Sequence, residues 1–365
     1  MKLRAAVLES TGAPLTIAEL ELRGAADTDV IVRIAAASIC HTDLEVVDGQ
    51  LASPLPLVPG HEAAGTVAWV GKAVTRVAVG DPVVLSWNPH CRHCFYCAED
   101  QPILCEPYRR HAAQSFHFDG RPRLFRAGEP VHQLMYVGGF ADHAIVGEQC
   151  AVGVPRELPL ELACLIGCGV MTGVGAVRHI AKLRAGEIAT VIGCGAVGLS
   201  AIQGARLADA GRIIAVDRDP AKLALARTFG ATHTLPADDA LLPAHAELTA
   251  GRGADAVFEA AGNEAAFRAS LELARPGGQV VWLGKVSPNH DIALRWGALT
   301  GEKRIVRSSY GGARPQRDFP WLAHAYLDGR LLLDEYVTSR IGLADINTGL
   351  ARLRQGQDIR AVVSM

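Results

Sequence analysis

Four cysteines crowd one short run: Cys91, Cys94, Cys97 and Cys105 in HCRHCFYCAEDQPILC. The spacing C-x2-C-x2-C-x7-C lets four thiolates converge on one tetrahedral centre, which is the ligand set of a closed structural zinc site. Disulfides suit this spacing less well, because two-residue gaps strain the Cα–Cα separation that an S–S bond needs. The plainer alternative, a redox pair among unrelated thiols, does not explain why four lie together. The chain has nine cysteines, an odd number, and its N-terminus MKLRAAVLEST lacks the apolar stretch of a signal peptide. A reducing cytoplasm with thiolate–metal chemistry is therefore expected rather than a secreted disulfide framework.

Three more candidates are scattered: Cys40 in SICHTDLE, His61 in PGHEAAG and Cys168 in LIGCGVMTG. A Cys-His-Cys set suits a catalytic zinc whose fourth position is left for water or substrate. Spacing cannot bring residues so far apart together. A buried cysteine commonly serves as a small hydrophobe, and a single histidine often only packs or hydrogen-bonds. Local chemistry leaves both readings open.

A third constellation is suited to phosphate. Gly193-x-Gly195-x-x-Gly198 follows the apolar run ATVI and opens the helix-compatible VGLSAIQGARLAD. Alone the motif is weak. Between a strand and a helix, with Asp217 ending the next strand about twenty residues on, it marks a dinucleotide site. Gly193 allows the tight turn, Gly195 lets the backbone approach a pyrophosphate at the positive helix end, and Gly198 lets helix and sheet pack closely. Asp217 is placed to hydrogen-bond the adenosine ribose and would repel a 2′-phosphate. That favours NAD over NADP, a preference that Arg218 softens.

Two kinds of scaffold must hold these groups. The first 150 residues read as short β-rich segments broken by Gly and Pro (DVIVRIAAAS, AAGTVAWVG, DPVVLSW, FADHAIVG), the texture of a barrel-like all-β domain. From about Gly169 strands and helices alternate, through ADAVFEAAG, GQVVWLG and KRIVRSS, which implies a doubly wound parallel sheet. After about Gly312 the alternation stops. The fold class is α/β, with the cofactor domain (169–312) inserted into a catalytic domain made of 1–168 and 313–365 that carries the cysteine lobe, 91–105.

The motifs CHTD (40–43), GHEAAG (60–65), the four-cysteine lobe, LIGCGVMTG (165–173) and VIGCGAVGLS (191–200) occur in one order along the whole chain. In this the chain resembles a zinc-dependent alcohol dehydrogenase of the medium-chain dehydrogenase/reductase superfamily, in its longer, liver-enzyme-like branch. The segment between Cys105 and GGFADH is typical of that branch. The resemblance implies a GroES-like β-rich domain plus a Rossmann domain, two zinc ions per chain and NAD. It implies that Cys40, His61 and Cys168 bind the catalytic zinc, that Asp43 orients His61, and that Glu62 stands behind the metal. It further implies that Thr42 takes the alcohol proton, that Asp217 and Lys222 contact the adenosine ribose, and that His41 and Arg360 stand beside the pyrophosphate. Thr172 and Val197 are implied to pack near the nicotinamide, with Leu283 lining the same site. A homodimer, with a tetramer as the variant, is expected from the family.

The chain also departs from the pattern. Many relatives end the proton relay with a histidine five residues after the first zinc ligand, where this chain has Glu45. That carboxylate is either the relay's last acceptor or a solvated surface group. Trp87 aligns with an aromatic position of the substrate pocket and would favour slim primary alcohols, benzylic or allylic; its plainer reading is a core aromatic. Tyr108, Arg109, Phe116 and Phe118 lie in the segment expected to overhang the cleft, with Trp296 and Leu299 on the opposite side. Class III relatives, which oxidise the glutathione adduct of formaldehyde, share the arginine at Arg109. They carry acids where this chain has Gln50 and Ala52, which argues against glutathione and leaves as alternatives another thiol or an enzyme that keeps NAD(H) tightly bound. Cys150, Cys164 and Cys194 read as fillers of apolar gaps, with Cys194 a reporter of cofactor occupancy through its reactivity.

Composition excludes other classes. Basic and acidic side chains, 36 and 38, nearly cancel, so no basic excess serves nucleic acid. A zinc-ribbon binding module would leave the glycine motif unexplained, and a non-catalytic relative would lack the Cys-His-Cys set. The longest apolar stretch, 162–177, is shorter than a spanning helix needs and rich in glycine, so a buried segment rather than a membrane span is expected.

Overall fold

The computed structural model describes residues 1–287 and 289–365. They form two compact units, 1–168 with 314–365, and 169–313.

In the first unit the strand Asp29–Ser38 is the spine. Its β-branched run is apolar on both faces. Val30, Val32 and Ile34 enter a larger core with Leu8, Phe140 and Ile346, while Ile31 joins a smaller one with Leu3, Leu20 and Ile145. Alternation at period two sends successive side chains to opposite cores. The strand pairs antiparallel with Glu62–Val70, His143–Gly147 and Arg360–Ser364 within a seven-stranded mixed sheet. The chain after Arg314 thus rejoins this unit: Arg360–Ser364 also pairs, in parallel, with Val337–Gly342. A five-stranded sheet built from Lys2–Val7, Thr16–Leu22, Leu124–Arg126, Glu129–Gln133 and Leu57–Val58 contributes to the smaller core.

The register has a consequence for chemistry. Ser38 lies opposite both Glu62 and Val362. The end of one strand and the beginnings of two others therefore gather Cys40, His61, Glu62 and Arg360 at one end of the sheet.

The second unit is a six-stranded parallel sheet in the order His233–Pro236, Arg212–Asp217, Ile188–Ile192, Ala254–Glu259, Ala274–Trp282, Arg304–Arg307. Numbered along the chain this is 3-2-1-4-5-6, the doubly wound dinucleotide-binding order. The apolar stretch 162–177 is divided among short helices, and Gly169–Gly175 packs on Ala196–Leu207. A Cβ at Gly173 would stand 2.4 Å from Ser200 Cβ, so glycine is what permits that contact. Among the described residues no single helix is long and apolar enough to cross a membrane.

Candidate metal centres and dinucleotide site

Cys40 caps the short helix His41–Val47, and Asp43 closes the cap by accepting the Cys40 N–H through Oδ2 at 2.9 Å. Asp43 Oδ1 accepts the Gly60 N–H at 3.0 Å and lies 3.2 Å from His61 Nδ1. One buried carboxylate therefore ties two of the scattered candidates together and assigns the ring proton to Nδ1. His61 Nε2 is buried with no hydrogen-bond partner among the described residues. A buried polar atom in that state is costly unless something binds it. Cys168 follows the turn Cys164–Gly167, which packs on Glu62–Val70. The sulfurs of Cys40 and Cys168, a His61 ring nitrogen and a Glu62 oxygen lie within 4.8 Å of one another. Two thiols and an imidazole with an orphaned lone pair fit a zinc ion.

The surrounding charges favour ligation. Cys168 beside it, together with Arg360 and His61, holds the Cys40 thiol well below its ordinary range in spite of burial. Cys168 is pushed up in turn by Cys40, so the pair shares a proton that a metal would displace. Burial works against a charge on His61, but Asp43 and Cys40 outweigh it and raise the imidazole pKa. Glu62 is pushed up to about 7 by burial, with Arg360 opposing. Arg360 donates from Nη2 and Nε to the two Glu62 oxygens at 3.1 and 3.2 Å, and its Nη2 is 3.8 Å from Cys40 Sγ. The register that seats Arg360 beside the metal ligands also faces it with a buried carboxylate.

The second cluster is the cysteine lobe. The sulfurs of Cys91, Cys94, Cys97 and Cys105 lie within 4.8 Å of one another, and all four cysteines are free thiols. Cys91 and Cys97 stand 3.9 Å apart at sulfur, far beyond a disulfide bond. Main-chain N–H groups of Cys91 and Cys94 donate to Cys105 Sγ and Cys91 Sγ, each at 3.3 Å, as they would to thiolates. Asp100 tethers the lobe to the helix Pro315–Leu327 and its N-cap through Arg314 and Arg317 at 2.7 and 2.8 Å.

In the second unit Gly193 turns at φ +91, a left-handed value that glycine alone adopts freely, and donates its N–H to Val216 O at 2.8 Å. A Cβ at Gly198 would lie 1.8 Å from Gly193 O, which is the close strand–helix contact the motif requires. Asp217 Oδ2 accepts the Cys194 N–H at 2.7 Å and Oδ1 the Asp219 N–H at 2.9 Å, so the carboxylate is fixed beside the glycine turn. Gly195 caps the helix Ala196–Leu207, and Val197 lies in its first turn. Cys194 is fully buried and its thiol is pushed up to about 12 by burial beside Asp217. Its burial fits the reading of a filler of an apolar gap.

The remaining residues divide. Thr42 is buried and Glu45 half-buried on the helix that Cys40 caps, whereas His41 on it is exposed. Trp87 is half-buried against the larger core of the first unit, and Arg109 is exposed on Glu106–His111. Thr172, Leu283, Lys222 and Arg218 belong to the second unit, Leu283 buried and Arg218 exposed. Tyr136 donates its hydroxyl to Tyr108 O at 2.9 Å, and His117 is buried against Ile145 O, so this segment is tied into the first unit. Sequence reasoning missed Glu259, a fully buried acid at the end of an apolar strand. The abrupt charge in DAVFE was the available signal.

Two cysteine-bearing metal centres on a β-rich unit, carried by the same chain as a 3-2-1-4-5-6 parallel sheet with a glycine-turn helix, define a zinc-dependent dehydrogenase. Residues 26–156 match the alcohol dehydrogenase GroES-like domain and residues 196–327 the zinc-binding dehydrogenase domain. The chain is 38% identical to an NDMA-dependent alcohol dehydrogenase of Amycolatopsis methanolica, over all of this chain and 99% of that one. It is 35% identical to an S-(hydroxymethyl)glutathione dehydrogenase of Synechocystis, over the full length of both. Among solved structures, benzyl alcohol dehydrogenase from Acinetobacter calcoaceticus superposes with a TM-score of 0.94 at 29% identity, covering 100% of this chain and 99% of that one. The chain belongs to the zinc-dependent alcohol dehydrogenases of the medium-chain dehydrogenase/reductase superfamily, enzymes that use zinc and a nicotinamide cofactor.

Proposed function

We propose that the protein interconverts slim primary alcohols, benzylic or allylic, and their aldehydes with NAD as coenzyme. The observation that carries this reading is the orphaned Nε2 of His61 within 4.8 Å of two thiols, beside a carboxylate that fixes its tautomer. Zinc supplies Lewis acidity toward the alcohol oxygen, and the nicotinamide ring supplies the hydride acceptor. In this proposal Cys40, Cys168 and His61 Nε2 hold the catalytic ion, and Cys91, Cys94, Cys97 and Cys105 hold the structural one. Asp43 keeps the proton on His61 Nδ1, and the Glu62–Arg360 pair balances charge behind the ligands. Thr42 Oγ1 takes the proton leaving the alcohol, and Glu45, three residues on along the same helix face, is its next acceptor. Gly193, Gly195, Val197, Gly198, Asp217, Arg218, Lys222, Thr172 and Leu283 form the NAD site, with His41 as a charge beside the pyrophosphate. Trp87 narrows the alcohol site.

The second reading, oxidation of an S-hydroxymethyl thiol, is supported by the glutathione-linked relative and by Arg109. Gln50 and Ala52, without charge, weaken it for glutathione itself. Homodimer assembly and a cytoplasmic location belong to the same proposal; nine free cysteines support the latter. The test is NAD reduction on addition of primary, benzylic, allylic and secondary alcohols, with and without formaldehyde plus a thiol, and with NDMA present or absent. Fastest turnover on benzylic or allylic alcohols is expected. Activity only with formaldehyde plus thiol would replace this reading with the second, and none on any substrate would overturn both.

A further inference from the structure

Glu259 ends the strand Ala254–Glu259, next to Ile188–Ile192 in the parallel sheet. Strands one and four flank the point where strand order reverses, and ligands of such sheets bind beyond the strand ends there. The side chain is fully buried. Its Oε1 accepts two main-chain N–H groups, from Ala261 at 2.8 Å and Gly262 at 2.7 Å. Its main-chain oxygen accepts two more, from Leu283 at 2.7 Å and Gly284 at 2.9 Å. One residue thereby fixes the turns that leave two neighbouring strands.

Those turns and the glycine turn are packed without room for a side chain. A Cβ at Gly193 would meet Ala261 N at 2.7 Å, and one at Gly284 would meet Gly262 N at 2.4 Å and Glu259 Oε2 at 2.5 Å. The Gly193 turn and the Ala261 main chain thus lie side by side with no space for a side chain between them. Oε2 has no hydrogen-bond partner among the described residues; burial raises the Glu259 pKa and outweighs the Arg307 guanidinium, which acts on the carboxyl through space. What it provides is acceptor geometry at Oε1 and at the main chain.

We propose that Glu259 is a positioning residue for the coenzyme: by gathering the N–H groups of Ala261 and Gly262 it sets the turn against which the Gly193 turn is formed. The inference rests on the reading of residues 169–313 as the nicotinamide-binding unit. It assigns Glu259 no contact with reacting atoms.

The experiment compares NADH binding by fluorescence titration in the zinc-loaded full-length wild type, Glu259→Ala, Glu259→Asp and Glu259→Gln, with zinc content and unfolding midpoint measured alongside. Gln keeps an acceptor oxygen at full reach; Asp keeps the charge but falls short by a methylene. Expected are a dissociation constant raised about tenfold in Ala and Asp, one within about threefold of wild type in Gln, and two zinc ions per chain in all. A purely structural role would lower the unfolding midpoint without this rescue pattern. Wild-type affinity in Glu259→Asp, or a loss in Gln as large as in Asp, would overturn the inference, even if Glu259→Ala fails to fold. Wild-type protein that binds no NADH would overturn the nicotinamide reading beneath it.

Discussion

Arg360 and Glu62, 298 residues apart in the chain, are joined by two hydrogen bonds of 3.1 and 3.2 Å in a fully buried pair. Such a pair is held by its mutual compensation, because either charge alone in that position is strongly disfavoured. Arg360→Met is expected to destabilise the protein by about 3–5 kcal/mol, read from the urea midpoint. The double variant Glu62→Gln/Arg360→Met should recover most of that loss, since no uncompensated charge remains. Additive losses in the double variant would contradict the coupling.

Asp43 holds the metal-ligand geometry through three contacts, to Cys40 N–H, Gly60 N–H and His61 Nδ1. Removing such an outer carboxylate typically costs 10–100-fold in metal affinity. Asp43→Ala should therefore fall from two zinc ions per chain to one on dialysis against a mild chelator, with the cysteine lobe still loaded. Retention of both ions at wild-type chelator concentrations would refute the role given to Asp43.

In the lobe, Cys94→Ser removes one thiolate of four. The expected outcome is loss of the structural zinc, a lower unfolding midpoint and protease sensitivity within 91–105, while the Cys40 site keeps its metal. An unaltered zinc stoichiometry would show that these four residues do not share an ion.

His245, in the second unit, provides a pH test. It is buried, with Thr190 Oγ1 2.9 Å from Nε2, and burial depresses its pKa to about 4 from an ordinary value near 6.5. The unfolded chain then binds the proton first, so the contribution is whole above pH 6.5 and is lost as pH falls toward 4. His245→Gln should show a flatter stability profile than wild type between pH 7.5 and 5, measured as the difference in urea midpoints. Parallel profiles would contradict the assignment.

Glu45→Gln tests the relay. If Glu45 accepts the proton that Thr42 receives, turnover falls and the acidic limb of the pH–rate profile moves. An unchanged limb with unchanged turnover would reduce Glu45 to a surface group.

How much of this was legible beforehand depends on sequence separation. The lobe's outermost cysteines are 14 residues apart, and the glycine turn sits between its own strand and helix, so local spacing carries the chemistry. The strand Asp29–Ser38 coincides with the β-rich run DVIVRIAAAS because both of its faces are apolar. The partnership of Arg360 with Glu62 is set by strand register across most of the chain, which no local pattern encodes. Family position suggested a phosphate contact for the same arginine and carried no sign of the carboxylate. Glu259 was overlooked because its partners are main-chain groups, which leave no mark in side-chain motifs. That the glycine turn closes over Cys194 is likewise a product of packing, not of the motif's spacing.

The most direct test is anomalous diffraction at the zinc edge from crystals of the zinc-loaded protein. Two peaks per chain are predicted, one within about 2.3 Å of the sulfurs of Cys40 and Cys168 and about 2.1 Å from His61 Nε2, the other among the four lobe sulfurs. Absence of a peak between Cys40, His61 and Cys168 would contradict the account.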